Sequence, residues 1–115
     1  MDIPENVQEQ LNQFQQLQQQ AQAIAMQKQA VETQLNESKK ALKELAKSSD
    51  DNEVYKTAGS LLIKTTKKDA NDELKETIET LEIRQKTVGK QEERITKKLK
   101  DLQSTIEFAM RSTQQ

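Results

Sequence analysis

The sequence predicts a mainly helical chain, built as one long antiparallel two-helix coiled coil with a β-hairpin at its centre. Three observations carry this. Apolar residues recur in alternating steps of three and four at Val7, Leu11, Phe14, Leu17, Ala21, Ile24, Val31, Leu35, Leu42 and Leu45, with Lys28 and Ser38 in the gaps. A second series runs through Leu74, Ile78, Leu81, Val88, Ile95, Leu99, Leu102, Ile106 and Ala109, with Gln85 and Glu92 in its gaps. Apart from one extra three-step at Leu11, Phe14 and Leu17, both follow the a/d seam of a coiled coil. Between them, residues 53–66 turn β-branched around Gly59 and Ser60.

The first helix is expected over 5–48. Pro4 suits the first turn, where a missing N–H costs nothing, and Glu5 and Glu9 suit the positive end of the helix dipole. At 1.5 Å per residue such a helix is roughly 65 Å long. Lys39, Lys40, Lys43 and Lys47 match the negative end, and Ser48-Ser49-Asp50-Asp51-Asn52 supplies residues that favour caps and turns. A hairpin is expected over 53–66, because glycine first in a two-residue loop signals a type II′ turn. Its register sets Ala58 opposite Leu61, Lys56 opposite Ile63 and Val54 opposite Thr65 on one face. Thr57 with Leu62 and Tyr55 with Lys64 form the other. Both faces therefore carry apolar groups. A thin coil covers only one, so pairing with hairpins of other subunits is favoured over folding back onto the chain's own coil. The second helix is expected over 69–111, with Asp69 and Asp72 spaced as an N-cap and N3 pair. Gly89 inside it marks either a close helix approach or a flexible point.

Folding the seams antiparallel sets Leu45 against Ile78, Leu42 against Leu81, Leu35 against Val88, Ile24 against Leu99 and Leu17 against Ile106. Ser38 then meets Gln85 as a polar layer. Lys28 and Glu92 fall one layer apart, within reach of each other. Residues 1–27 contain Asp2, Glu5 and Glu9 and no lysine or arginine, whereas Arg94, Lys97, Lys98 and Lys100 lie on the second helix. Opposite-sign flanks favour this pairing over parallel self-association.

Composition narrows the function. The chain has 115 residues, 32% apolar and 32% charged, a balance that supports a narrow buried stripe and no thick core. One structural unit over 1–115 follows, with no room for a catalytic pocket. Histidine and cysteine are absent, so nucleophilic triads lack their usual base and a thiolate or zinc site has no ligands. No glycine-rich phosphate loop exists. Asp50-Asp51-Asn52-Glu53 lacks the spacing and glycine of a calcium loop and reads as a helix stop. No enzyme, metal or cofactor is expected. The glutamines from Gln13 to Gln29 read as a solvated helix face, and Asn36-Glu37-Ser38 as a helical segment rather than a glycosylation acceptor. The net charge of −1, with no aromatics among the lysines at 97–100, argues against nucleic-acid binding. The N-terminus has neither a basic nor an apolar leader region, and no run reaches a membrane span of about 20 residues. A soluble cytoplasmic protein is expected.

What exceeds structural need is apolar surface where the two chain ends meet at the free tip of the coil. The antiparallel fold gathers Val7, Leu11, Phe14, Ile106, Phe108 and Met110 at the free tip, with Ile3 beside them; Phe108 and Met110 lie off the seam. Such groups at fraying helix ends suit the capture of other chains.

Over its whole length the sequence resembles the prefoldin family, in particular its archaeal β-type subunits and, among eukaryotic members, subunit six. The resemblance rests on Asn6-Val7-Gln8-Glu9-Gln10-Leu11 with Phe14-Gln15-Gln16-Leu17-Gln18-Gln19-Gln20-Ala21-Gln22. It rests also on Val54-Tyr55-Lys56 with Gly59 and Leu62-Ile63, and on Arg84-Gln85-Lys86-Thr87 followed by Gln91-Glu92-Glu93-Arg94. It implies an ATP-independent holdase chaperone: a hexamer of two α and four β subunits whose hairpins build a β-barrel platform. Its coiled-coil tips hold unfolded proteins and pass them to a group II chaperonin. The single hairpin agrees with a β-type subunit. On this resemblance Val54, Tyr55, Ala58, Gly59, Leu61, Leu62 and Ile63 are assembly residues. Val7, Leu11, Phe14, Ile106, Phe108 and Met110 are candidates for client contact. A coiled-coil tether or scaffold for one folded partner is the alternative, and the hairpin with two apolar faces counts against it.

Overall fold

The computed structural model describes residues 3–113. Helix α1 spans Glu5–Lys47, strands β1 (Val54–Ala58) and β2 (Leu61–Thr65) form the hairpin, and helix α2 spans Lys67–Thr113. The fold class expected from the seams is therefore present: two long helices around an antiparallel hairpin. The chain groups into two compact units, residues 1–29 with 87–115 and residues 30–86.

In the first unit, α1 starts where expected. The Pro4 carbonyl accepts from the amides of Val7 and Gln8, each at 3.0 Å, so proline closes the first turn without needing its own N–H. Val7, Val88 and Ile95 are buried, and Leu11, Phe14, Leu17, Ala21, Ile24, Leu99, Leu102, Ile106 and Ala109 are half-buried. The seam is thus the buried stripe of this unit. Lys28 and Glu92 interrupt it as an ion pair of 3.0 Å, the contact that their one-layer offset predicted. Both side chains stay more than a third exposed, so the pair fixes alignment more than it adds stability.

In the second unit, Leu35, Ile78 and Leu81 form a buried cluster against which Leu42 packs. Ser38 and Gln85 are both half-buried, but no hydrogen bond joins them. The end of α1 is closed by Ser48, whose hydroxyl donates to the Leu45 carbonyl at 2.7 Å while its own carbonyl accepts from Lys67 Nζ at 2.8 Å. Lys67 also reaches Asp50 at 3.3 Å. Helix α2 begins two residues earlier than its acidic pair suggested. Thr66 is the cap: its Oγ1 accepts from the Asp69 amide at 3.1 Å and its carbonyl from the Ala70 amide at 2.9 Å. Asp69 is therefore the third helical residue, where its charge still favours the positive end.

The hairpin has the expected register, from Val54 opposite Thr65 to Ala58 opposite Leu61. Gly59 has φ of 62° and no other described residue has positive φ, a combination that fits type II′ and excludes type I′. Gly89 does not mark a close approach. A Cβ built there meets nothing within 4 Å, nor does one at Gly59.

Candidate functional site

The hairpin leaves its apolar side chains in the open. Of the strand residues only Val54 and Thr65 are half-buried; Leu61 is 64% and Leu62 74% exposed, and Tyr55 and Ile63 are exposed as well. The coil was expected to cover one face of the hairpin, but it leaves both largely exposed. Contact with the chain's own helices is polar, through Lys56 Nζ to Glu73 Oε1 at 3.1 Å. The Tyr55 hydroxyl donates to Glu53 at 2.7 Å, and that hydrogen bond, with a smaller effect of burial, raises the phenol above its ordinary value. Beneath β1 lies a groove of about 670 Å³ lined by Ala41, Leu45, Val54, Tyr55, Ala70 and Leu74 among others. With one strand pairing only, each strand keeps one unpaired edge. Ala58 and Gly59, at the turn, are exposed.

The second set of candidates belongs to the first unit and divides by exposure. Leu11, Phe14 and Ile106 come together with Gln103 and Glu107 around a cleft of about 160 Å³. Phe108 is 73% exposed and lies outside this cleft, beside the exposed Ser104, Thr105, Arg111 and Ser112 of its own helix. The hydroxyls of Thr105 and Ser112 turn back onto carbonyls four residues earlier, so neither shields the ring. Met110 is half-buried. Val7 requires a correction. At 1% exposure it is the most enclosed large side chain of the described residues and presents nothing to a client; it closes the seam instead. Sequence reasoning missed the rim residues Gln103 and Glu107. Their spacing of four places them on one helix face beside Ile106, and that was the available signal.

Among the described residues no group of three or more carboxylates could hold a metal ion, and no helix is long and apolar enough to cross a membrane. The family described as "Prefoldin subunit" matches residues 8–112. The chain belongs to the prefoldin family. Within that family it is 48% identical over 110 residues to prefoldin subunit beta of Pyrococcus furiosus, covering 96% of this chain and 94% of that one. It is 50% identical over 109 residues to prefoldin subunit beta of Methanococcoides burtonii, covering 95% and 93%. The crystal structure of the prefoldin beta subunit from Thermococcus strain KS-1 superposes with a TM-score of 0.86 at 48% identity, covering 96% of each chain. The beta2 subunit from the same strain shares the fold, with a TM-score of 0.73 at 20% identity over 79% of this chain and 97% of that one. The prefoldin resemblance read from the coil and hairpin motifs is therefore established, and the relatives that carry it are archaeal β-type subunits.

Proposed function

We propose that this prefoldin-family chain is a non-enzymatic, ATP-independent chaperone subunit that acts as one functional unit over 1–115. It assembles with an α-type subunit as two α and four β, holds unfolded proteins, and delivers them to a group II chaperonin in the cytoplasm. The observation that carries the reading is the family match from residue 8 to 112, spanning both helices and the hairpin. No cofactor or nucleotide is required, because a client leaves when a tighter binder takes it.

Two sets of residues support the mechanism. Val54, Tyr55, Ala58, Gly59, Leu61, Leu62 and Ile63 make an exposed apolar hairpin with open edges, suited to joining neighbouring hairpins in a barrel platform. The groove under β1 has the size and lining to receive part of a neighbour. In the first unit, Phe108 and the cleft of Leu11, Phe14 and Ile106 are the client-contact groups, together with the half-buried Met110. Each is a weak site. Several copies on one assembly bind a single unfolded chain far more tightly than one does, since every later contact is intramolecular.

The test combines the chain with an α-type subunit and follows assembly by native mass spectrometry. A chemically unfolded protein is then diluted into buffer at fixed chaperone ratio. A hexamer that suppresses aggregation is expected. A chain that stays monomeric, or a hexamer that leaves aggregation unchanged, overturns the reading and favours a tether.

A further inference from the structure

The cleft in the first unit has a size and a rim that go beyond general stickiness. Its apolar wall is Leu11, Phe14 and Ile106, and its volume is about 160 Å³. An enclosed apolar cavity of about 150 Å³ accepts one benzene ring, so this solvent-open cleft of similar volume covers one face of a ring rather than enclosing it. One wall is polar and acidic: Gln103 Nε2 donates to Glu107 Oε1 at 3.4 Å. The one cation near Glu107 is Arg111 at 3.9 Å, with both side chains more than half exposed, so solvent screens that pair and it competes weakly. The facing start of α1 is of the same sign, whereas α2 itself carries the exposed Lys97, Lys98 and Lys100 ahead of the cleft. Glu5 and Glu9 are exposed on the first turns of α1, and no lysine or arginine occurs before Lys28.

We infer that this cleft anchors a phenylalanine side chain of an unfolded segment, and that Glu107 selects segments in which that phenylalanine is flanked by lysine or arginine. This rests on the client-holding reading and names the class of client segment it takes. One face of the ring lies against the wall of Leu11, Phe14 and Ile106. The neighbouring cation replaces Arg111 as the partner of the Glu107 carboxylate. A glutamate-flanked phenylalanine has the same ring but meets like charge, so it is disfavoured by repulsion rather than by lost contact.

The test uses the assembled hexamer and three labelled unstructured peptides that differ only in the residues flanking one phenylalanine: lysine, serine or glutamate. Binding is followed by fluorescence anisotropy at low and high salt. The lysine peptide is expected to bind about threefold to fivefold more tightly than the serine peptide at low salt. The glutamate peptide should bind more weakly, and the three should converge at high salt as the charges are screened. Glu107→Gln should remove the difference between the three peptides, and Glu107→Lys should invert the order. Replacing the peptide's phenylalanine with alanine should abolish binding of all three. Equal affinities for the three peptides, or a preference that survives Glu107→Gln, overturns the inference even if aggregation is still suppressed. Failure of the wild-type hexamer to suppress aggregation overturns the chaperone reading itself. A lysine preference that survives the loss of the phenylalanine overturns the anchor, and assigns the acidic surface to a basic partner instead.

Discussion

The two glycines make a paired experiment, because a methyl group has open space at both and only the backbone separates them. Gly89 lies inside α2 without positive φ, whereas Gly59 has φ of 62°. Glycine in a helix interior costs about 0.8–1.0 kcal/mol relative to alanine, part of it through the freedom it leaves the unfolded chain. The added Cβ meets nothing within 4 Å, so neither packing gain nor clash modifies that figure. Gly89→Ala should therefore stabilise the subunit by about 0.5–1 kcal/mol. With a urea m-value of about 2 kcal/mol/M, the midpoint rises by about 0.3–0.5 M at unchanged slope. At Gly59 the same change forces an L-residue into left-handed φ, costing about 1–2 kcal/mol, which should appear as weaker assembly. Far-UV circular dichroism of both variants at one protein concentration, with light scattering of the reconstituted complex, provides the readout. A Gly89→Ala chain no more stable than the parent would refute the reasoning, since it would mean the helix does not have the local geometry described. Stabilisation accompanied by weaker client holding would mean that the glycine is kept for motion.

Four further outcomes follow from burial and bonding. Replacing Leu61, Leu62 and Ile63 together with serine should abolish the hexamer and leave helicity nearly intact; normal assembly with an α-type partner would show the hairpin to be accessory. Val7→Ala should cost about 2 kcal/mol in urea unfolding, because two buried methyl groups are lost. Phe108→Ala should change stability by less than about 0.5 kcal/mol while reducing suppression of aggregation, and the opposite pattern would reverse these two assignments. Tyr55 is the only tyrosine and tryptophan is absent, so ultraviolet absorbance titrates it alone. Its ionisation should lie above the ordinary value and fall back in Glu53→Ala. The sign is that of a raised group: the hydrogen bond is intact at neutral pH and is lost as pH climbs through the raised value.

The seams were legible because burial in a coiled coil depends on spacing, and spacing is written in the chain. Leu35, Ile78, Leu81, Val88 and Ile95 are buried at the positions their period assigns. The hairpin register was legible because a two-residue turn leaves one alignment. The start of α2 was not. Asp69 and Asp72 have the spacing of a cap and its partner, yet the Thr66 hydroxyl sits where the first turn needs an acceptor. Periodicity set Val7 on the seam and Phe108 off it, but did not show how completely Val7 is enclosed. How far a seam stays closed towards its end is a matter of packing between helices, and each sequence stretch alone contains only half of that contact. The rim of Gln103 and Glu107 was hidden for the same reason, since a cleft exists only once α1 and α2 are side by side.

The open hairpin has a consequence for dosage. A two-stranded sheet that buries almost none of its apolar residues gains little from folding alone, and each free edge is a template for the next strand it meets. By mass action the hairpin's order then depends on how much complementary subunit is present. A cell that makes this chain in excess would accumulate copies whose stickiest surface is the one meant for siblings. On the proposed assembly with an α-type subunit, balanced synthesis of the two types is then a physical requirement of the fold as much as of the complex.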